Sequence, residues 1–232
     1  MIRFTPYRSG SDANLNTVDD GQSTLMLDCG VRWTKLSQLL KGKATEVEGV
    51  LVTHSHGDHS RGVKDALHHG LDCWMSIETA KALSVEGIHR IEDGERHHIG
   101  TWTIDAFATV HDCPGSLGFV VTNQQGERLL YATDTQYLSP RWGDGCAILA
   151  LEANYSLQKL RENVQNGNVE RLQKHRVLWN HQSIDTVLKF LEKTDRSRLR
   201  EVVLLHLSDA NSDELDFKRR AAEIVGVPVR IA

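Results

Sequence analysis

Cysteine is scarce and never closely spaced: Cys29, Cys73, Cys113 and Cys146 form no C-x-x-C. That excludes a thiolate zinc cluster and a dithiol redox motif, and leaves buried free thiols as the expectation. Long hydrophobic runs are also missing. No segment approaches the ~18 apolar residues of a membrane span, and MIRFTPYRSG has no apolar signal-peptide core, so a cytoplasmic protein without membrane partners is expected. Nor does one sign of charge dominate. With 27 basic and 31 acidic residues the net charge is -4, which provides no global field to draw in nucleic acid or an anionic membrane. The stretches KLRENVQ, ERLQKHR and RSRLR are short, the first two mix acids with bases, and all read as solvated helix faces. There is no repeat, low-complexity tract or linker. What is present is 232 residues, 40% apolar and 25% charged, enough for one substantial core. One domain over residues 1–232 is the default, two fused half-domains the variant.

Short apolar or alternating segments closed by Gly, Asp or Ser read as strands at 2–7, 24–28 and 49–53. WTKLSQLLKG reads as a helix with Leu36, Leu39 and Leu40 on one face and Gly42 as its stop. Ser60 is placed to cap a helix in RGVKDALHHG, whose last turn holds His68 and His69 near its negative pole. After a helical stretch at IETAKAL come strands at 102–110, 117–123 and 127–133, the last two joined by the hairpin signal QQGE. CAILALEA and LREVVLLHLS read as buried strands. LQKLRENVQ, SIDTVLKFLEKT and DELDFKRRAAEIVG read as helices, and VPVRIA as a final strand. Strands with helices between them, repeated once, suggest two sheets packed together with helices outside.

The chemistry concentrates in THSHGDHS, residues 53–60, directly after a strand. His54 and His56 are two apart, so in an extended loop both rings project to one side. Asp58 and His59 are adjacent, and in that geometry they do not easily reach the same ion. Two metals, each taking two ligands from this loop, fit better than one. Further ligands are expected at other strand ends: His111 after WTIDAFATV, Asp134 in YATDTQ and His206 after REVVLL. Asp134 is suited to bridge, because a carboxylate can offer one oxygen to each ion. A nitrogen and oxygen set without thiolate suits Zn²⁺ or Mn²⁺.

H-x-H-x-D-H after a strand, then a lone His, a strand-end Asp and a last strand-end His, resembles the metallo-β-lactamase superfamily, and LMLDCG resembles its early strand ending in D-x-G. The resemblance runs over nearly the whole chain and implies an α/β fold, the four-layer αββα sandwich. It implies one metal on His54, His56 and His111, a second on Asp58, His59 and His206, and Asp134 between them with a bridging hydroxide. β-Lactamases usually carry Cys where this chain has Asp134, and flavodiiron relatives carry an acid where His56 stands. LEANYS and WNHQS are instead similar to the HEAT and HST segments of tRNase Z-type enzymes, which implies Glu152 orienting a catalytic His181. They also resemble the corresponding segments of YycJ/WalJ-like nucleases, whose S-S-G-N start is similar to SGSDANLNTV. Tyr155 departs from that pattern, which carries His there.

These resemblances imply a phosphodiesterase with two divalent ions, in which Asp58 accepts the proton of water and His181 assists the leaving group. The lack of a basic track leans the expected substrate towards cyclic nucleotides or other small cyclic phosphates, as in compact cyclic-nucleotide phosphodiesterases of this fold, including phage proteins that counter cyclic-nucleotide defence. The alternative is a DNA or RNA exonuclease of the YycJ/WalJ type. A lactone or thioester hydrolase would not need Glu152 and His181, and a non-catalytic binding protein would not keep all seven ligand positions. Among the tryptophans, Trp142 in SPRWGDG is the best base-stacking candidate, with Arg141 beside it for phosphate. A homodimer that completes the pocket is a further expectation.

Overall fold

RFTPYR, LNTVD and TLML form β1 (Arg3–Arg8), β2 (Leu15–Asp19) and β3 (Thr24–Leu27), an antiparallel meander. The strand β2 has no sequence signal of its own, because Asn16 and Thr17 are polar yet buried; pairing on both sides overrides composition. The computed structural model describes the backbone of residues 1–232 and every side chain except that of Arg171. The chain divides into two compact units, Met1–Ala108 with Cys113–Arg128 and Thr109–Asp112 with Leu129–Ala232.

In the first unit, helix α1 (Trp33–Leu39) leads from β3 to β4 (Gly49–Leu51), which lies parallel to β3. Leu36 and Leu40 are buried and Leu39 is half-buried, and Gly42 ends the helix region at φ +80°. Two short helices, α2 (Gly57–Ser60) and α3 (Val63–His68), precede β5 (Cys73–Met75), and α4 (Ile77–Leu83) precedes β6 (His89–Arg90). The sheet order is β1-β2-β3-β4-β5-β6. Leu15, Met26, Val50 and Val52 pack beneath Leu36, Val63, Ala66 and Ala80 in one cluster. Ser60 does not cap α3. It lies inside α2, and its hydroxyl donates to the carbonyls of Ser55 and His56, so it ties down the histidine loop instead. His69 closes α3 as expected and stacks on Trp33 at 3.7 Å. A second antiparallel meander, β7 (Arg96–Ile99), β8 (Trp102–Ala108) and β9 (Leu117–Thr122), completes the unit. In β8, Trp102, Ile104 and Ala106 alternate with more exposed residues.

The second unit is built on four parallel strands in the order β10 (Arg128–Ala132), β11 (Ile148–Glu152), β12 (Glu201–Leu205) and β13 (Val229–Ile231). Their uninterrupted apolar runs are those of strands buried on both faces. Between β11 and β12 stand α5 (Leu157–Gln165), α6 (Arg171–Asn180) and α7 (Ile184–Lys193), and α8 (Glu214–Val225) follows β12. Ser183 caps α7 by accepting from the Thr186 amide, and Ile184, Val187, Leu188 and Leu191 form its buried face. Helix α6 has no such apolar period, which is why it escapes a sequence reading.

All four cysteines are free and buried, and burial first, then Asp72, pushes the Cys73 thiol up to about 12. Among the described residues no helix is long and apolar enough to cross a membrane.

Candidate metal centre

Register places the candidate ligands of the first unit. Leu27 of β3 pairs with Leu51 of the parallel β4, so Asp28 and the segment Thr53–His59 emerge from the same strand ends. Asp28 is fully buried and left-handed at φ 60°, a conformation Asp tolerates better than most residues. Its Oδ1 accepts from the Thr53 hydroxyl at 2.8 Å and its Oδ2 from His59 Nδ1 at 2.8 Å. The Thr53 oxygen in turn accepts from His54 Nδ1 at 2.9 Å. Both rings are thereby held with Nδ1 protonated and a lone pair on Nε2, the arrangement a metal-ligating histidine needs. His54 and His56 pack edge to face at 4.8 Å, as their spacing predicts.

Asp58 and His59 correct the extended-loop expectation. They sit in the helical turn α2, and Asp58 Oδ2 lies 3.3 Å from His59 Nε2, close enough to serve one ion. Gly30 makes this turn possible, because a Cβ there would lie 1.8 Å from the Asp58 carbonyl oxygen. The D-x-G of LMLDCG thus has a mechanical meaning: its Asp holds His59 and its Gly lets the turn Gly57–Ser60 approach. Asn14, from the SDANLN stretch, is a site residue that sequence reasoning missed. Its amide nitrogen stands 2.9 Å from His59 Nε2 and 3.4 Å from Asp58 Oδ2. Replacing Asp28, at φ 60°, by asparagine is expected to weaken metal binding about 10–100-fold, because an amide group cannot accept through both its atoms from Thr53 and His59; competition with a chromophoric chelator measures it.

The second unit assembles a cluster of its own in the same way. Ala132 pairs with Leu151, and Leu151 with Leu204, so Asp134, Glu152 and His206 share the carboxyl-terminal rim of the parallel strands, where ligands of such sheets bind. Asp134 and His206 are both left-handed, at φ 48° and 52°. Strain of about 1–3 kcal/mol per residue is held in place at the strand ends. Asp134 Oδ1 lies 3.4 Å from His206 Nδ1 and 3.5 Å from His181 Nδ1, and its Oδ2 lies 4.0 Å from His111 Nε2. His111 Nδ1 donates to the Asn180 carbonyl at 3.3 Å, and Asn154 donates to the His206 carbonyl at 2.8 Å.

Glu152 is fully buried, and its Oε1 accepts from His181 Nδ1 at 2.6 Å. Its other oxygen accepts from the Thr135 and Gln182 amides. Burial opposes ionisation of both groups. Their mutual attraction outweighs it, holding Glu152 below the usual carboxylate range and, with Asp134, pushing His181 up to about 10. The N-cap of α7 is Ser183, so His181 does not cap the helix that follows it. Tyr155 is buried in an apolar cluster with Leu160 and Val169.

Arg141 and Trp142 lie elsewhere. They form a short 3-10 turn, Pro140–Trp142, next to Gly143, whose Cβ position meets Phe190 and Thr194 at the far end of α7. Helix α7 is ten residues long, about 15 Å, so the pair is remote from His181, which immediately precedes α7. Arg141 stacks over Trp142 at 4.9 Å. The local cue of a Pro/Gly-rich loop after Asp134 does not reveal that the chain turns back towards the start of β11.

The donors fit divalent cations. Histidine tautomers are set by Asp28 and Thr53, the donor atoms are nitrogen and oxygen, and Asp134, Glu152, His181 and His206 bring ligand atoms within 4.8 Å of one another. Cys113 Sγ is engaged by Ser55 Oγ at 3.0 Å. Comparison with known proteins agrees. The beta-lactamase superfamily domain profile matches residues 23–207. Exodeoxyribonuclease WalJ of Streptococcus pneumoniae serotype 2 is 27% identical, aligned over 91% of this chain and 83% of its own. The metallo-β-lactamase fold protein YhfI of Bacillus subtilis superposes over 100% of this chain and 97% of its own at 16% identity, with a TM-score of 0.78. The short form of human tRNase Z covers 100% and 96% at 16% identity, with a TM-score of 0.66. The chain therefore belongs to the beta-lactamase superfamily domain family and is a metal-dependent hydrolase of the αββα metallo-β-lactamase fold.

Proposed function

We propose that the two half-centres act as one dinuclear phosphodiesterase site, with His54, His56 and His111 on one cation, Asp58, His59 and His206 on the other, and Asp134 on both. Zn²⁺ or Mn²⁺ held there would supply Lewis acidity to the phosphate and a water acidic enough to attack at neutral pH. The chain's own groups do the rest. Asp58 accepts the proton of the attacking water. His181, charged and oriented by Glu152, gives its Nε2 proton to the departing alkoxide, which is the poor leaving group that makes phosphodiesters inert.

The observation that carries this reading is the 2.6 Å contact of His181 with a fully buried Glu152, on the rim that also holds Asp134 and His206. The Glu152 carboxylate stands out of water, 2.6 Å from His181 Nδ1 and 3.4 Å from His206 Nδ1, and the nearer imidazole is suited to be the acid; hydrolysis of an activated acyl bond needs no such acid. We favour the end of a nucleic acid strand as substrate over the cyclic nucleotide that the missing basic track suggests. WalJ, with which nine-tenths of the chain aligns, carries the name of an exodeoxyribonuclease. The test is a panel of cyclic mononucleotides and of single- and double-stranded DNA and RNA, with Mn²⁺ or Zn²⁺ added and Asp58→Ala as control. Strand cleavage that Asp58→Ala abolishes is expected. Turnover confined to cyclic nucleotides would return the substrate to the small class, and turnover of neither would sink the phosphodiesterase reading.

A further inference from the structure

In the first unit, Arg61 closes the turn α2 and borders a hollow of about 320 Å³. Buried Ala13 and Val31 give part of its lining an apolar surface. The rest is charged: Arg8 from the end of β1, Asp12, Arg32 and Lys35 from the start of α1, and Arg61 itself. Short chain segments join the hollow to the candidate ligands. Asn14 follows Ala13, and its backbone amide donates to the Asp58 carbonyl at 2.6 Å while its side-chain nitrogen stands 2.9 Å from His59 Nε2. Arg61 comes three positions after Asp58 in the same helical turn, a spacing that makes side chains neighbours. Its Nη2 lies 4.0 Å from where a Cβ on Gly57 would be.

Four cations face one acid here, in a chain of net charge -4. Asp12 does not neutralise them: its carboxylate lies 3.7 Å from Arg8 Nη1, and Arg61 Nη1 donates to its backbone carbonyl at 3.3 Å. Among the described residues no carboxylate pairs with Arg32, Lys35 or Arg61, and all three are exposed. Arg32 and Lys35 alone would read as the solvated start of a helix. Arg8 and Arg61 reach the same hollow from two other segments, and like charges gathered in this way repel one another unless an anion lies between them. No aromatic ring lines the hollow, so bases have no stacking platform, whereas guanidinium and ammonium groups match phosphate oxygens. Cations from four positions suit consecutive phosphates of a strand better than one small anion, and a concave hollow suits a strand better than a flat membrane. No basic run in the sequence announces the feature, because positions 8, 32, 35 and 61 are far apart.

We infer that this hollow is a subsite for the backbone phosphates of a nucleic acid strand, with Lys35 and Arg61 as phosphate contacts and no reading of the bases. The inference rests on the nucleic-acid reading of the centre and names where the strand runs. The test uses the full chain with Mn²⁺ and follows the fluorescence anisotropy of a short fluorescein-labelled oligothymidylate whose phosphorothioate linkages resist cleavage. Lys35→Gln and Arg61→Gln are each expected to reduce the slope of log K against log salt by about 0.7, the loss of one phosphate contact to a single strand, and together to raise Kd about tenfold. Lys189→Gln removes the same charge from an exposed position on α7 and should leave the slope as it is. An unchanged slope in Lys35→Gln and Arg61→Gln would overturn the inference, and so would an equal fall in Lys189→Gln, because the attraction would then be diffuse. Inorganic phosphate that displaces the oligonucleotide far better than chloride at equal ionic strength would make the hollow a small-anion site and overturn the strand. Sedimentation with phosphatidylglycerol vesicles that needs Lys35 and Arg61, when the oligonucleotide does not, would assign it to a membrane surface instead. Hydrolysis of bis(p-nitrophenyl) phosphate by the wild-type chain with Mn²⁺ is measured separately. If it is absent while binding still depends on Lys35 and Arg61, the phosphodiesterase reading fails and the subsite stands; if it is present while neither substitution changes the slope, the reverse holds.

Discussion

Replacing His181 by alanine is expected to slow cleavage of a natural phosphodiester by about 10²–10⁴-fold, the usual contribution of a positioned general acid, while leaving bound metal unchanged. The leaving group separates this role from a structural one. An alkoxide needs a proton as it departs and p-nitrophenolate does not, so hydrolysis of bis(p-nitrophenyl) phosphate should change little in the same variant. Glu152→Gln should reproduce the pattern. Glutamine keeps the shape of a side chain that is fully buried, but it removes the charge that keeps His181 protonated. Equal losses on both substrates, or loss of metal from His181→Ala, would make His181 a structural or ligating residue and sink the acid assignment. Both variants begin from a centre in which His181 and His206 stack at 5.4 Å and nearly parallel, so circular dichroism and metal content are read alongside the rates.

The second large effect is expected at Asp134. On the dinuclear reading its carboxylate serves both cations, so Asp134→Asn should hold fewer than two metals per chain and lose on the order of 10³-fold or more in turnover, equivalent to about 4 kcal/mol of transition-state stabilisation. Asparagine is the informative substitution. Position 134 has φ 48°, a left-handed conformation that Asn adopts readily and Ala does not, so Asp134→Ala mixes backbone strain with ligand loss. Elemental analysis after gel filtration gives the stoichiometry. A variant that keeps two metals and most of its activity would show that Asp134 bridges nothing.

How far the centre was legible depends on how local each signal is. The loop His54, His56, Asp58 and His59 is a spacing within six residues after a strand, and nothing distant is needed to see it. His111, Asp134 and His206 could be picked out because each follows an apolar run; for Asp134 and His206 those runs are parallel strands, whose ends share a rim, whereas His111 follows the antiparallel β8. Local reasoning failed where a short range was ambiguous. Asp58 and His59 were expected to diverge in an extended loop, yet the turn α2 brings their donor atoms to 3.3 Å. Ser60 was expected to cap the next helix, and it bonds back to the loop instead. Trp142 was the expected stacking residue because its loop follows Asp134, whereas the exposed indole two residues before His181 is Trp179.

The sequence by itself determined the residue types on offer: nitrogen and oxygen donors suited to divalent cations, and apolar runs that carry them to strand ends. These follow from residue type and a period of two, which act over a few residues. Tertiary structure alone decided how those atoms are held. Asp28 reaches His59 over 31 positions, Asn14 over 45, and Glu152 reaches His181 over 29, each through strand register or helix packing that no local pattern encodes. It also decided which aromatic faces solvent, because the exposed side of α6 is set by what its other side buries.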